Sequence, residues 1–204
     1  MANGRIAVVG CGIFGALSAI RLAQEGYDVT IFERHASILA GASLNNSSRL
    51  HLGFHYPRDI ETGRQSIRGF APFRDAFSDA ILGGFPNTYF IAEEGSMTDP
   101  ESYLAFCNEL GLPFERIDPS HFSPEIKGVA LGIQCDEVVY DGARLAKMMA
   151  DQLGGLSGIS LQLKTVVDRL ERVDNGRFMA VTSRGSFGQF DAVVNVTYAD
   201  VNRL

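Results

Sequence analysis

Three glycines near the start of the chain have the spacing of a loop that binds a dinucleotide diphosphate. They are Gly10, Gly12 and Gly15, which enclose Cys11, Ile13 and Phe14 in a Gly-x-Gly-x-x-Gly pattern. In such a loop the first glycine permits a tight turn, the second lets the backbone approach the pyrophosphate, and the third lets a helix pack closely on a strand. The helix N-terminus then presents N–H groups and a partial positive charge to the diphosphate. We therefore predict that this loop, including Ile13 and Phe14, binds a dinucleotide.

An acidic residue follows the loop at the position where a ribose is expected. Glu33 stands at the end of the second predicted strand, with Arg34 directly after it. A carboxylate there accepts hydrogen bonds from ribose hydroxyls and disfavours a 2′-phosphate. We assign Glu33 and Arg34 to the cofactor site. The structural alternative, a glycine-rich turn without a nucleotide, does not explain why so many positions of the pattern coincide.

The segments around the loop have the pattern of a strand, a helix and a strand. Residues 5–9 form a β-branched run typical of a buried parallel strand, residues 13–25 have helical apolar spacing, and residues 28–33 return as a strand. Gly26 marks the end of the helix. Together they have the length of one βαβ unit, which predicts an α/β fold with a Rossmann-like parallel sheet.

The remainder of the chain predicts further helices and strands after an irregular segment at residues 34–59. Helices are predicted at residues 60–79, 100–110 and 142–153. Strands are predicted at residues 87–92, 129–134, 137–140, 159–173, 177–183 and 191–197. We expect the 159–173 run to be bent or divided, and we expect a turn at residues 174–176.

Composition limits the class of protein and its partners. The chain has 204 residues, 46% of them hydrophobic, and can bury a sizeable core. It carries 24 acidic against 18 basic residues, and no long Lys/Arg run is present, so nucleic acid is not an expected partner. No segment approaches the roughly 20 apolar residues of a membrane span. The widely spaced Cys11, Cys107 and Cys135 favour a cytoplasmic setting and predict neither disulfides nor a metal site.

The segment at residues 41–56 is hard to explain as part of a simple nicotinamide domain. It is rich in Ser, Asn, Gly and His, and from Asn46 it reads Asn-Ser-Ser-Arg-Leu-His-Leu-Gly-Phe-His-Tyr. This stretch resembles the Asn-Ser-Gly-x-Ile-His-x-Gly-x-x-Tyr segment of the hydroxyglutarate branch of the D-amino-acid oxidase superfamily. That superfamily of FAD-dependent oxidoreductases includes glycine oxidase, L-2-hydroxyglutarate dehydrogenase and FAD-dependent glycerol-3-phosphate dehydrogenase. Residues 139–145, 166–167 and 191–197 are similar to later segments of the same superfamily.

The resemblance implies FAD as the cofactor and assigns further residues to it. Ser47 and Ser48 would lie by the diphosphate, the backbone around Val167 by the adenine, and Thr197 in a later FAD-domain strand, while Arg49 and His51 would lie near the isoalloxazine ring. Two features depart from the family: Tyr198 stands where glycine is usual, and the family continues beyond the length of this chain. The chain is thus similar to the N-terminal part of such an enzyme.

The resemblance also predicts how the chain is divided. Residues 1–84 and 140–204 would form an FAD-binding domain with a parallel sheet and a β-meander. Residues 85–139 would belong to a smaller α+β substrate domain. The predicted fold class of the chain is α/β.

His51 and Arg49 are the candidates for catalysis. His51 could orient a small-molecule substrate, exchange a proton with it or tune the flavin, or it could only hydrogen-bond within an ordered loop. Arg49 could hold a substrate carboxylate or stabilise anionic reduced flavin, and a surface ion pair is an equal alternative. His55 and Tyr56 are weaker candidates, because alternation along an extended segment would send neighbours to opposite sides.

The leading functional hypothesis is an FAD-dependent oxidoreductase. It would move a hydride from a C–H bond next to an amine or hydroxyl of an amino acid or hydroxy acid to flavin N5. One alternative is a truncated or degenerate FAD-domain protein that acts only as a binding module. Another is an NAD-dependent dehydrogenase, since the glycine pattern serves both dinucleotides.

Overall fold

The protein is seen in a computed structural model that describes residues 2–83, 85–122, 124–173 and 175–204. The helices are α1 (Ile13–Gln24), α2 (Ile60–Ala76), α3 (Pro100–Glu109) and α4 (Gly142–Gly155). The strands are β1 (Arg5–Val9), β2 (Asp28–Phe32), β3 (Arg49–Leu50), β4 (Ile81–Leu82), β5 (Asn87–Ala92), β6 (Phe114–Ile117), β7 (Val129–Cys135), β8 (Val138–Tyr140), β9 (Ile159–Gln162), β10 (Val167–Arg172), β11 (Phe178–Thr182), β12 (Gly185–Phe190) and β13 (Ala192–Asn195). They belong to two compact units, Met1–Asn46 with Gly142–Leu204, and Ser47–Asp141.

A four-stranded parallel sheet organises the first unit. Its strand order is β13-β1-β2-β9, and the central β1 is buried from Ile6 to Val9 because its side chains are apolar on both faces. Helix α1 packs Ala16, Ala19 and Ile20 inward and ends before Gly26, which has a φ of 86°. The predicted Rossmann-like βαβ unit is confirmed, with each boundary within one residue of the prediction.

An antiparallel meander completes the first unit. Strands β10, β11 and β12 form it, and their inner face packs into a cluster with Phe32 and Phe190. The predicted 159–173 strand is divided, because the chain turns at Lys164, whose φ is 52°. Strand β12 was not predicted, since its sequence Gly-Ser-Phe-Gly-Gln-Phe has little β propensity. The predicted turn includes Asp174, which lies outside the described residues.

The second unit contains two small antiparallel sheets, β3-β8-β4 and β5-β7-β6. The side chains of Asp59 and Asp99 cap the N-termini of α2 and α3. A core cluster forms around Phe54, Tyr103 and Ile133. The unpredicted β6 follows a proline and carries charged residues, and it exists because it pairs with β7.

The compact units and the predicted domains place residues 47–84 differently. Within the second unit, Ile60 and Ile67 of α2 pack against the Tyr103 cluster, which groups this helix with residues 85–141 by contact. Met1 and Gly84, at two of the predicted boundaries, lie outside the described residues. The division into an FAD-binding and a substrate domain stays a prediction. In the described parts of the chain, no helix combines the length and apolar character needed to cross a membrane.

Candidate functional site

Two glycines of the predicted diphosphate loop are required by the fold of the first unit itself. Gly10 has a φ of 102°, and a Cβ atom there would lie 2.7 Å from the carbonyl oxygen of Val196. A Cβ atom on Gly15 would lie 2.0 Å from the carbonyl oxygen of Gly10, where the first turn of α1 packs on the end of β1. Any side chain at either position would force the backbone apart. This geometry agrees with the predicted roles of Gly10 in the turn and of Gly15 in the packing of the helix on the strand.

Gly12 differs from the other two glycines because the folded chain leaves room beside it. Its backbone is extended, with φ of −73° and ψ of −173°, a conformation open to any residue. Apart from its two chain neighbours, the described residues place one heavy atom within 4 Å of a Cβ atom built on Gly12, the Ser43 hydroxyl oxygen at 3.0 Å. The far end of a serine side chain can move by the few tenths of an ångström that this contact requires. The protein alone therefore gives little reason for glycine at this position, and a ligand that approaches the backbone would supply one.

The N-terminus of α1 offers hydrogen-bond donors next to Gly12. The first turn of the helix itself contains no acidic residue, so none of its own side chains offsets the partial positive charge there. The Ile13 N–H donates to the Ser43 hydroxyl at 3.0 Å, and the Phe14 side chain is 79% exposed. Ser43 lies in the segment that sequence reasoning singled out, but its contact with the helix was not predicted. This end of the helix has the chemistry of a diphosphate site.

Glu33 connects the end of β2 to the glycine loop. Its side chain is only 6% exposed, and its two carboxylate oxygens accept the N–H groups of Cys11 and His35, each at 2.8 Å. A carboxylate oxygen has two lone pairs, so each can accept a second hydrogen bond, for example from a ribose hydroxyl. Glu33 thus fixes the loop geometry in addition to its predicted role toward ribose.

Cys11 is a buried, inert thiol in this loop. Its side chain is fully buried, and this burial, together with the neighbouring Glu33 carboxylate, raises the pKa of the thiol to about 12. A thiol with such a pKa stays protonated at neutral pH and is a poor nucleophile. The prediction that Cys11 acts as a small apolar residue agrees with this environment.

The other residues of the first unit assigned to the cofactor lie in defined local contacts. Arg34 forms an ion pair with Asp200 at 2.8 Å, Val167 begins β10, and the Thr197 hydroxyl donates to the Asn195 side chain at 2.7 Å. Tyr198 has a φ of 57°, in the left-handed region that favours glycine, and its side chain is 80% exposed. The backbone therefore adopts a glycine-like conformation where the resembling family usually has glycine, although the residue is tyrosine.

A second group of candidate residues lies in the second unit around a buried carboxylate. We call it the His51 cluster, and it consists of Arg49, His51, His55, Tyr56, Tyr89 and Glu137. The Glu137 side chain is completely buried. Its carboxylate accepts the Leu52 N–H at 2.7 Å and the Tyr89 hydroxyl at 2.6 Å. Burial alone would raise the pKa of Glu137, but hydrogen bonds from His51, Tyr89 and the Leu52 N–H outweigh it and lower the pKa. Glu137 is therefore a carboxylate at neutral pH.

His51 lies against this carboxylate and against aromatic rings. Its Nδ1 atom is 3.2 Å from the Tyr89 hydroxyl and 3.4 Å from Glu137 Oε2. Its ring stacks on His55, with the centroids 4.7 Å apart. Partial burial, followed by the charges of His51 and Arg49, lowers the pKa of His55. The Arg49 guanidinium lies over the Tyr89 ring, 5.1 Å from its centroid.

The structure of the second unit brings His51 and Arg49 together and adds neighbours that were not expected. The prediction that His55 and Tyr56 point away from each other is wrong, since their ring centroids are 5.3 Å apart. The physical reason is that residues 53–56 form a turn, closed by the Tyr56 N–H and the Gly53 carbonyl, and are not extended. Ser47 and Ser48 precede β3, and the Ser48 carbonyl accepts the Tyr140 N–H at 2.8 Å.

Tyr89 and Glu137 are the residues of this cluster that sequence reasoning missed. Neither belongs to a spaced motif, and both lie far along the chain from His51. Strand pairing brings them together, because β3 pairs with β8 and β5 pairs with β7. The one available signal was an acidic residue, Glu137, directly before the apolar strand that starts at Val138.

Comparison with known proteins gives the family. Residues 5–204 match the DAO family, described as FAD dependent oxidoreductase. The chain is 31% identical over 193 residues to the FAD-dependent monooxygenase FPY4 of Fusarium mangiferae. This alignment covers 95% of this chain and 49% of that protein. It is 28% identical over 199 residues to the FAD-dependent monooxygenase kojA of Aspergillus flavus. That alignment covers 95% of this chain and 45% of the Aspergillus protein. The chain thus spans about half the length of these curated relatives.

The fold matches solved structures of the same kind. Glycine oxidase from Geobacillus kaustophilus superposes with a TM-score of 0.78 at 19% identity, over 99% of this chain and 58% of that one. The chain belongs to the DAO family of FAD-dependent oxidoreductases. The predicted superfamily, the α/β fold and FAD as the family's cofactor are confirmed, and the NAD-dependent alternative is not supported.

Proposed function

We propose that this chain provides the FAD-binding loop of an oxidoreductase that acts on a small amino acid or hydroxy acid. The observation that carries the proposal is Gly12, a glycine that the fold does not need beside a helix N-terminus without acidic residues. A diphosphate needs both features, since it must approach the backbone closely and accept its N–H groups. Family membership identifies the dinucleotide as FAD.

The residues of the first unit would hold the cofactor. The Gly10–Gly15 loop, including Ile13 and Phe14, would lie against the diphosphate, and the Ile13 N–H would exchange its Ser43 hydroxyl partner for a phosphate oxygen. Glu33 would accept ribose hydroxyls at the lone pairs that Cys11 and His35 leave available. Arg34, Val167 and Thr197 stay proposed contacts, as do Ser47 and Ser48 of the second unit.

The residues of the second unit would act on the substrate. Bound FAD would supply the redox chemistry by accepting a hydride from a C–H bond next to an amine or hydroxyl. His51 would accept the proton of that amine or hydroxyl, since imidazole exchanges protons near neutral pH. Arg49, a permanently charged group, would pair with a substrate carboxylate.

The cofactor proposal is tested by titration of the purified chain with FAD and, separately, with NADH. We expect FAD to be retained with absorbance near about 450 nm, a general property of oxidised flavins, and NADH to bind more weakly. Gly12→Ala is expected to weaken FAD binding by at least about tenfold, or about 1.4 kcal/mol, with little change in thermal stability.

Gly154→Ala is the matched control for this titration. Gly154 is exposed at the end of α4, and a Cβ atom there would meet nothing within 4 Å in the described structure. This variant should bind FAD like the original chain. Failure of the original chain to retain FAD after refolding with the cofactor would refute the proposal, and equal FAD affinity of Gly12→Ala would remove the observation that supports it.

A second candidate reaction comes from the relatives. Two proteins at 28% and 31% identity are named FAD-dependent monooxygenases. A monooxygenase transfers one oxygen atom of O2 to an organic substrate and reduces the other to water with two electrons from the substrate or from an added nicotinamide. The two reactions differ in the fate of the oxygen. Compounds from a panel of amino and hydroxy acids are incubated with the FAD-loaded chain under ¹⁸O2, with and without NADPH as an external electron donor. Label in the organic product would favour monooxygenation, and unlabelled product with hydrogen peroxide would favour the oxidase reaction.

A further inference from the structure

The direction of hydrogen bonds in the His51 cluster specifies where the proton of neutral His51 lies. Glu137 is a carboxylate and can only accept. The Tyr89 hydroxyl has a single hydrogen, and the 2.6 Å contact with Glu137 Oε2 uses it. The Tyr89 oxygen is therefore left as an acceptor, both of a hydrogen bond from the Arg49 side chain and toward Nδ1 of His51, 3.2 Å away. Both neighbours of Nδ1, the Tyr89 oxygen and Glu137 Oε2, then accept hydrogen bonds.

We propose that Tyr89 and Glu137 are positioning residues that hold neutral His51 in its Nδ1–H form and leave Nε2 as its proton acceptor. Nδ1 carries the hydrogen because two acceptors face it. Nε2 then has the lone pair that can take one proton from a substrate amine or hydroxyl. When it does, the ring becomes imidazolium, and the buried Glu137 carboxylate stabilises the new positive charge at 3.4 Å.

Burial of the Glu137 side chain stabilises this arrangement of hydrogen bonds. The Glu137 side chain has no exposed surface, so water cannot compete for its oxygens. The Leu52 N–H donates a hydrogen bond to Glu137 Oε1 at 2.7 Å. This contact orients the carboxylate so that Oε2 faces Tyr89 and His51. Every buried polar side-chain atom in the described residues has a hydrogen-bond partner, so the cluster leaves no buried polar group unsatisfied.

The charged and titratable neighbours of His51 are compatible with this assignment. The groups that contact it are His55, Tyr56, Tyr89 and Glu137, and the Arg49 guanidinium lies over the Tyr89 ring. His55 contacts the face of the His51 ring, so the stack does not occupy either ring nitrogen. Burial, and then the hydrogen bond to Glu137, raises the pKa of Tyr89, so its hydroxyl keeps its hydrogen.

Nitrogen NMR of the histidine rings in the ¹⁵N-labelled chain tests the proposal at a pH where the rings are neutral. The chain has four histidines, and the His51→Gln variant assigns the His51 signals by their loss. We expect a protonated Nδ1 and an unprotonated Nε2, the reverse of the form that free histidine prefers in water. An Nε2–H signal for His51 in the original chain would overturn the proposal without any variant.

Variants show which residues impose this form. Glu137→Gln places an amide that can donate to the Tyr89 oxygen, so that the hydroxyl turns toward Nδ1, and we expect the Nε2–H form to become the major one. Tyr89→Phe removes the nearer acceptor and should lower the Nδ1–H fraction, which keeps the test decisive if Glu137→Gln does not fold. Glu115→Gln, on the exposed strand β6, is the matched control and should change nothing. Unchanged Nδ1–H populations in both cluster variants would overturn the proposal.

The catalytic meaning of this tautomer rests on the proposed function, but its measurement does not. A chain that shows the Nδ1–H form and fails to bind FAD would refute the proposed function alone. A chain that binds FAD and shows an Nε2–H His51 would refute this inference alone.

Discussion

Gly10, Gly12 and Gly15 share one residue type but meet different physical demands. Gly10 needs a positive φ, and Gly15 needs the absence of a side chain 2.0 Å from a carbonyl oxygen. Gly12 needs neither. The sequence pattern alone could not separate these reasons, since it records only spacing. The distances divide the motif into a part that serves the fold and a part that is available to a ligand.

Substitution of Gly15 should therefore damage the fold before it affects any ligand. We expect Gly15→Ala to lower the free energy of unfolding by at least about 2 kcal/mol, because a backbone atom cannot yield to the new Cβ as a flexible side chain could. Urea unfolding followed by circular dichroism measures this. Gly154→Ala, on the same unit, should be neutral or stabilising by up to about 1 kcal/mol. Equal stability of the two variants would show that α1 does not pack on β1 as described.

Glu137 offers a corresponding test in the second unit. Glu137→Ala removes the acceptor of the Leu52 N–H and the Tyr89 hydroxyl and leaves both donors in a buried place. We expect a loss of about 1–3 kcal/mol in unfolding free energy. Glu137→Gln keeps one acceptor oxygen and should lose less. If alanine were tolerated as well as glutamine, the carboxylate would not be the centre of this network.

At the scale of elements, helices and strands with strong apolar periodicity were predicted correctly, and strands that depend on a pairing partner were missed. Strands β1 and β2 and helix α1 follow from local apolar patterns, and their predicted boundaries hold within a residue. Strands β6 and β12 exist only because β7 and β11 supply partners, which no local pattern records. The same reason hid Tyr89 and Glu137, since each reaches His51 through pairing between strands distant in sequence.

Strand β12 should matter to stability despite its weak local pattern. It ends in Phe190, which is 1% exposed and meets the Phe32 ring edge-on with centroids 6.0 Å apart. We expect Phe190→Ala to cost about 3–5 kcal/mol in unfolding free energy. The exposed Phe14, at 79%, provides the same chemical change without burial, and Phe14→Ala should change stability by less than about 0.5 kcal/mol. Similar losses in both variants would contradict the packing of the meander on the sheet.

At the scale of the whole chain, family and fold were predictable from two short segments near its start. The glycine loop and the segment at residues 41–56 identified the superfamily that the matched residues 5–204 confirm. The residues that would act on a substrate were named less completely, because a cluster built from several strands has no signature in sequence. The chain spans about half of its curated relatives, so substrate and acceptor chemistry belong to the proposals made for it.

The pH dependence of stability has contributions from two groups of the His51 cluster whose pKa values are lowered in the folded chain, and from exposed carboxylates, such as the helix-capping Asp59 and Asp99, whose pKa values are lowered by hydrogen bonds from their helices. Burial, and then His51, lowers the pKa of His55 below its ordinary 6.5, and hydrogen bonds lower that of Glu137 below its ordinary 4.5 against the effect of burial. A lowered pKa means that the unfolded chain binds protons first, so each group stabilises the fold above its unfolded pKa and loses this contribution as pH falls through its folded pKa. Stability should thus decline on acidification in two stages, the first below about pH 6.5 and the second below about pH 4.5.

Urea unfolding at a series of pH values between about 8 and about 2.5 measures both stages, and variants assign them. His55→Gln should flatten the upper stage, and Glu137→Gln should make the lower stage shallower without removing it, because the exposed carboxylates with lowered pKa values still contribute there. His121→Gln is the matched control for the upper stage, since His121 is largely exposed on a short turn and its loss should leave the profile unchanged. An increase in stability on acidification through the upper stage would mean that His55 is better accommodated as a cation, which would contradict the positive groups that face it in the His51 cluster.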